Sequence, residues 1–337
     1  MTIQKLRWGI LSTAKIGTKT VIPALLQSGN GIVAAIASRD AHAALETARS
    51  LGISNSFGSY EALLESPDID AIYNPLPNSL HKEWSIRAAE HGKHILCEKP
   101  LALNTAEVDE MIAAAKQYHV LLMEAFMYRF HPQIAQVRQL IASGAIGETQ
   151  VIRSAFGFRL EDYNNIRLNK ALGGGSVMDV GCYCVNVSRL IAGAEPMQVH
   201  ASAVIGRSQV DETLAAILRF PDNLIAHFDS SFRTDYREWL AVQGSEGRLE
   251  LEHPFRSHAV GGKGSITLHR KDGTHEVLTT PAVNQYQLMA EHFADAVLNG
   301  KPLQYPPELD RGNMRVIDAL YESARTHKAV DLSANLR

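Results

Sequence analysis

Two textures along the chain predict an α/β protein with two different sheets. Up to about residue 124, five short β-rich apolar runs alternate with helical patterns, which argues βαβ units and a doubly wound parallel sheet. Beyond it, strands with polar and apolar alternation are separated by turn signals. This predicts an α/β domain built on a large, mostly antiparallel, open-faced sheet. A chain of 337 residues suits two domains. They are placed at 1–124 and 125–337, with the C-terminal helix able to pack back on the first.

The parallel strands are read at 7–11, 32–37, 71–74, 94–97 and 120–124. Between the second and third, Asp40 is the N-cap of a helix over 41–51 and Gly52 its stop. After the crossover come a helix over 132–143, a long loop, and a helix from Ser176. Phe220-Pro221-Asp222-Asn223, Gly244-Ser245-Glu246-Gly247 and Lys271-Asp272-Gly273-Thr274 read as hairpin connections. Strands at 213–220 and 226–232 alternate, so one face packs on helices while the other is wet or joins a second subunit. Helices over 286–298 and 309–326 close the chain.

Bulk properties narrow the function. Apolar content of 45% with 20% charged residues is ordinary for a globular protein. A net charge of -3 without a basic run leaves no electrostatic footprint for nucleic acid or anionic lipid, so a small-molecule partner is expected. No apolar stretch approaches the roughly 18 to 20 residues that span a bilayer, and a cytoplasmic location is expected. Cys97, Cys182 and Cys184 lack the spacing of a zinc site or disulfide framework. They read as buried thiols, and no metal is expected.

Chemistry concentrates in two segments. His94-Ile95-Leu96-Cys97-Glu98-Lys99-Pro100 ends a strand with a lysine before proline, a context that holds Lys99 extended or in a turn and admits a cis bond. Gly173-Gly174-Gly175-Ser176-Val177-Met178-Asp179-Val180-Gly181-Cys182-Tyr183 offers a carboxylate and a phenol one helical turn apart. Bland readings stand beside these: Ser176 and Asp179 have capping-box spacing, Tyr183 suits a core aromatic, and Lys99 an exposed strand end.

The first strand runs into Ser12-Thr13-Ala14-Lys15-Ile16-Gly17, the slot of a G-x-G-x-x-G fingerprint with only its last glycine. Ser12 and Ala14 are small enough for a pyrophosphate to approach, Gly17 permits close helix packing, and the amides of Thr13 to Ile16 and the helix dipole attract anions. At the end of the second strand, Ser38 and Arg39 stand where a carboxylate would read an NAD ribose. A guanidinium there suits a 2′-phosphate, which predicts NADP, with NAD left open. Pro77-Asn78-Ser79-Leu80-His81 lies outside a strand's carboxyl end, where such sheets bind ligands; Asn78 and Ser79 equally suit helix capping.

In this order, these segments resemble the glucose-fructose oxidoreductase, inositol dehydrogenase and rhizopine-catabolism (Gfo/Idh/MocA) family. The likeness spans nearly the whole chain and rests on Ser12 to Gly17, Pro77 to His81, Glu98-Lys99-Pro100 and Asp179-x-x-x-Tyr183. Met123 to Pro132 and Gly181 to Asn186 look most like the branch of dimeric dihydrodiol dehydrogenase and NADP-dependent xylose dehydrogenases. The resemblance implies a Rossmann domain, then an open-sheet domain, with the nicotinamide between them. It also implies sugar-like or cyclic polyol substrates, and a homodimer or homotetramer through the C-terminal sheet. Tyr183 stands where inositol dehydrogenases carry His, which favours the tyrosine branch.

Cofactor contacts are accordingly expected from Ser12, Thr13, Ala14, Ile16, Ser38, Arg39, Pro77, Asn78, His81, Glu98 and Lys99. Tyr183 is the expected acid/base, assisted by Lys99 and Asp179. Shifting a phenol from about 10 to neutrality needs roughly 4 kcal/mol, which one ammonium about 4 Å away supplies at an effective dielectric near 20. An ionised Asp179 equally close opposes that shift, so Asp179 is expected to bind Lys99 or a substrate hydroxyl. Arg129, His131, Tyr163 and Arg167 are the candidate substrate contacts. The reading is an NADP-preferring dehydrogenase or reductase acting on CH-OH groups of a sugar or polyol. Alternatives are a trans-dihydrodiol dehydrogenase and a non-catalytic NADP-sensing regulatory protein.

Overall fold

The computed structural model describes residues 4–333. They form two compact units. One runs to Met127 and includes Tyr286–Arg311; the other comprises Tyr128–Gln285 and the chain from Gly312 onward.

The first unit holds six strands: β1 (Leu6–Leu11), β2 (Gly31–Ala37), β3 (Asn55–Phe57), β4 (Ala71–Asn74), β5 (His94–Cys97) and β6 (Leu122–Glu124). Their order is β3-β2-β1-β4-β5-β6 and every pair is parallel, so the doubly wound expectation holds. Helices α1 (Ile22–Gln27), α2 (Ala41–Leu51), α3 (Tyr60–Leu64), α4 (His81–Glu90) and α5 (Thr105–Gln117) connect them. Trp8, Ile10, Ile72, Tyr73 and Leu96 are wholly buried, as expected for strands covered on both faces. Asp40 caps α2 by accepting from the amides of His42 and Ala43 at 2.9 and 3.2 Å, and Gly52 ends it at φ 68°.

Two local features escaped the sequence. β3 is three residues long with a polar start, too short for periodicity to reveal. β6 begins at Leu122 rather than 120 because the Val120 amide turns back to the Ala115 carbonyl at 3.0 Å, with His119 at φ 55°, closing α5.

The second unit follows through α6 (Pro132–Ala142) and carries nine strands: β7 (Thr149–Gly157), β8 (Gln198–Ile205), β9 (Asp211–Arg219), β10 (Ile225–Ser231), β11 (Arg237–Gly244), β12 (Gly247–Leu251), β13 (Gly264–Arg270), β14 (His275–Thr280) and β15 (Val330–Asp331). Their order is β14-β13-β12-β11-β7-β10-β9-β8-β15. Only β7 with β10 is parallel, so the sheet is mostly antiparallel. All three predicted hairpin turns join neighbouring antiparallel strands. Along β9, Leu214, Ala216 and Leu218 are buried while Ala215, Ile217 and Arg219 are exposed. Helix α7 (Cys182–Ala192) covers the inner face. Helices α8 (Gln285–Asn299) and α9 (Pro307–Thr326) close the fold, and within the first unit Phe293 of α8 packs against Trp8 with ring centres 5.4 Å apart. Among the described residues, no helix is long and apolar enough to cross a membrane.

Candidate active site

The turn after β1 places a serine in the backbone conformation that the first glycine of a fingerprint would supply. Ser12 stands at φ 76°, a left-handed value that glycine normally supplies, and its hydroxyl accepts from the Ala14 amide at 3.3 Å. The helical run begins at Lys15 and opens into a wide turn at Gly17–Val21. A side chain at Gly17 would meet Tyr73 and Pro75 at 3.7 and 3.8 Å, ordinary contact distances. Gly17 thus permits close packing there, although the space would also admit a methyl group. The leading amides of a helix lack intrahelical acceptors, so this turn has the donors that a pyrophosphate needs.

At the end of β2, Ser38 is buried and its hydroxyl accepts from the Asp40 amide at 3.2 Å. Arg39 is exposed, and its guanidinium lies beside the Tyr60 phenol, whose pKa burial raises and Arg39 partly pulls back. An exposed guanidinium at this position suits an added phosphate.

The Pro77 to His81 segment plays a different part from capping. Pro77 is the N-cap of a single 3-10 turn over Asn78–Leu80 and Leu80 is the N-cap of α4, so neither Asn78 nor Ser79 occupies a cap position. His81 is wholly buried with both ring nitrogens engaged: Nδ1 lies 2.9 Å from the Pro100 carbonyl and Nε2 2.8 Å from that of Leu76. Burial pushes its pKa down to about 4, against the pull of those two carbonyls. It ties two loops together and offers no ring nitrogen to a dinucleotide.

Lys99 sits on a turn fixed from several sides. The Lys99-Pro100 bond is cis. Beside His81 on Pro100, Glu98 accepts from the Tyr73 phenol at 2.6 Å, and Glu124 at the end of β6 accepts from the Leu101 amide at 2.7 Å. Glu124 was not singled out in the sequence, although a glutamate ending a buried strand was a usable signal. A carboxylate 2% exposed needs such a donor.

In the second unit, the helix bearing Asp179 and Tyr183 starts with a wide turn at Val177–Gly181 and continues as α7. Its beginning is held by Asp211 of β9, missed in the sequence because its partners are distant in the chain. Asp211 accepts from the Ser176 hydroxyl at 2.7 Å, the Val177 amide at 2.8 Å and the Tyr321 phenol at 2.8 Å. Burial raises its pKa against those donors. Ser176 is thus spent on β9 and β10 and caps nothing, so the capping-box reading of Ser176 and Asp179 does not hold. Gly181 lets the helix lie close on the sheet: a Cβ there would come within 2.9 Å of the Ser230 hydroxyl.

Asp179 accepts from Arg167 Nε at 2.6 Å, joining a proposed catalytic residue to a proposed substrate residue. Tyr183 lies among Tyr128, Phe156 and Phe255, with ring centres 5.8, 5.5 and 5.3 Å away. Arg129 is buried and donates from Nε to Asn186 on α7 at 2.9 Å. His131 caps α6 through the Gln133 amide at 3.2 Å, and its other nitrogen faces the Gly262 carbonyl at 2.9 Å. With both nitrogens on backbone and no exposure, His131 is structural rather than a substrate contact. Tyr163 is 41% exposed, lies under the Arg207 guanidinium at 3.4 Å, and donates to Glu212 at 3.4 Å.

Comparison with known proteins gives these units a context. Residues 6–126 match the model of an oxidoreductase family with an NAD-binding Rossmann fold. Residues 134–250 match the GFO/IDH/MocA C-terminal domain. The chain is 41% identical over 327 residues to D-xylose 1-dehydrogenase (NADP(+)) 2 of Haloferax volcanii, covering 96% of this chain and 99% of that protein. It is 33% identical to trans-1,2-dihydrobenzene-1,2-diol dehydrogenase of Xenopus tropicalis, over 94% of this chain and 96% of the relative. A crystal structure of a 3-ketoreductase from Actinomadura kijaniata with NADP and TDP-benzene superposes with a TM-score of 0.91 at 31% identity, covering 95% of this chain and 98% of that one.

Proposed function

Because the chain belongs to the Gfo/Idh/MocA family of oxidoreductases, we propose that it is an NADP-preferring dehydrogenase or reductase of aldoses and related sugars. The observation that carries this reading is the 41% identity to an NADP-dependent xylose dehydrogenase over 96% of the chain. The supporting chemistry is the guanidinium of Arg39 at the end of β2, where a ribose carboxylate partner would select NAD.

The bound coenzyme supplies or takes the hydride at its nicotinamide C4. Thr13 and Ile16 would hold the pyrophosphate through their backbone amides, Ser12 and Ala14 would shape the turn against it, with their own amides on the Ala37 carbonyl and the Ser12 hydroxyl, and Ser38 and Arg39 would hold the 2′-phosphate. Pro77, Asn78 and Glu98 border the cofactor. Tyr183 exchanges the proton of the substrate's reacting oxygen, and the Lys99 ammonium lowers the phenol's pKa toward neutrality. Asp179 and Arg167 orient the substrate hydroxyls as one ion pair, with Arg129 and Tyr163 as further contacts. The parallel-sheet unit serves the cofactor and the unit with the nine-stranded sheet the substrate.

The open face of the large sheet is the proposed subunit interface, forming a dimer or tetramer. Ile217 and Ile225 are 48% and 40% exposed on neighbouring strands of that face, an arrangement suited to a symmetric contact. A cytoplasmic location fits three buried cysteines that form no disulfide.

The test is nicotinamide absorbance during turnover of a panel of aldoses, ketosugars and trans-dihydrobenzenediol with either coenzyme. Aldose turnover with NADP at higher kcat/KM than with NAD is expected. Turnover of the dihydrodiol alone moves the chain to the alternative substrate class. NADP binding without turnover of any substrate favours a sensor.

A further inference from the structure

Glu238 lies on the inner face of β11, directly opposite Phe156 of β7. Its side chain has no solvent exposure. Burying a carboxylate costs several kcal/mol unless donors replace its water. Here the donors come from one irregular segment and its neighbour. Phe255 and Arg256 give backbone amides at 3.1 and 2.9 Å, His253 faces the carboxylate with Nδ1 at 3.2 Å, and the Tyr236 phenol donates at 2.8 Å.

The same segment is held from two other directions. Gln133 of α6 donates to the His253 and Pro254 carbonyls at 3.0 and 3.2 Å, and Gln285 donates to the Phe255 carbonyl at 2.9 Å. Such a run has no ladder or helix to satisfy its backbone, so these side chains do that work. What the clamp presents is the Phe255 ring. That ring stacks on Phe156 at 5.4 Å with an interplanar angle of 13°, meets Tyr128 edge-on at 5.4 Å, and lies 5.3 Å from Tyr183.

We propose that Glu238 is a positioning residue for Tyr183: its carboxylate pins the 253–256 backbone, which holds Phe255 as one wall of the aromatic box that fixes the phenol ring. This rests on Tyr183 being the acid/base. Packing against neighbouring rings restricts the two rotatable bonds of a tyrosine side chain, and a small misplacement of a proton donor is expensive in rate. Glu238→Gln keeps an acceptor oxygen for the two amides. Glu238→Ala removes it, and Phe255→Leu removes the wall while leaving the clamp.

Two measurements test the proposal. With D-xylose and NADP well below the unfolding temperature, Glu238→Ala and Phe255→Leu are expected to lower kcat by about tenfold to a hundredfold, with KM for NADP little changed. Glu238→Gln restores kcat to within about threefold. Independently of turnover, NMR of ring-labelled tyrosine, with Tyr183 assigned from its loss in Tyr183→Phe, reads the ring-current shift of the box. That shift persists in Glu238→Gln and collapses in the other two, and if Glu238→Ala does not fold, Phe255→Leu carries both readouts. Wild-type kcat and an unmoved Tyr183 resonance in Phe255→Leu, with Glu238→Ala only less stable to heat, overturns the positioning role. A Tyr183→Phe enzyme with undiminished kcat overturns the acid/base reading instead, whatever the resonances show.

Discussion

Arg167 donates from Nε to the Asp179 carboxylate at 2.6 Å, across twelve residues that include the glycine run. The pair joins the long loop to the first turn of the helix that bears Tyr183. A charge-assisted hydrogen bond of this kind contributes about 1.5 to 3 kcal/mol, reduced here because the Arg167 side chain is 42% exposed. Arg167→Ala should therefore lower kcat/KM for the sugar by about tenfold. Steady-state kinetics with unchanged kcat/KM would show the pair to be idle in substrate handling.

Arg39 governs coenzyme choice in this account. Arg39→Ala should reduce kcat/KM with NADP by about tenfold to a hundredfold and leave the NAD value within about twofold. Parallel kinetics with both coenzymes decide it, and an equal fall for the two would assign Arg39 to general folding.

His81 gives a pH-dependent signature. Its folded pKa is about 4, below the roughly 6.5 of an unfolded histidine, so between those values the unfolded chain binds the extra proton. Stability from this group is complete above pH of about 6.5 and is lost as pH falls toward 4, by up to roughly 3 kcal/mol. Urea unfolding of wild type and His81→Asn at several pH values isolates it. The difference between the two should shrink steadily on acidification; a constant difference contradicts a neutral buried imidazole.

Asp211 anchors the helix of Asp179 and Tyr183 from a separate strand. Asp211→Ala leaves the Val177 amide and the Tyr321 phenol without this acceptor and the Ser176 hydroxyl with Ser230 alone, and should cost about 3 kcal/mol, whereas Tyr321→Phe, which removes one donor, should cost about 1 kcal/mol. Equilibrium unfolding of both variants gives the comparison, and equal losses would count against Asp211 as the hub.

Much of this was readable from the chain because it was local. The Asp40 cap, the Gly52 stop, the hairpin turns and the strands at β4 and β5 depend on residues a few positions apart. What escaped were relationships across the chain. Asp211 meets Ser176 from 35 residues away, and Glu124 meets Leu101 from 23. The capping-box motif misled because Ser176 found that distant partner. The two histidines misled because a buried imidazole engaged with backbone groups, the Pro100 and Leu76 carbonyls for His81 and the Gln133 amide and Gly262 carbonyl for His131, carries no spacing that distinguishes it from a ligand. The Ser12 turn reached the glycine conformation without glycine, so a fingerprint search on residue type alone undervalues it.

The central claim is that the Tyr183 phenol moves the proton and the Lys99 ammonium tunes it, and the pH dependence of kcat in wild type, Tyr183→Phe and Lys99→Met tests this most directly. Tyr183→Phe should lose about a hundredfold to ten-thousandfold in kcat, and Lys99→Met should move the ionisation limb up toward the phenol's ordinary value of about 10. Near wild-type kcat in Tyr183→Phe, or an unmoved limb in Lys99→Met, contradicts the account.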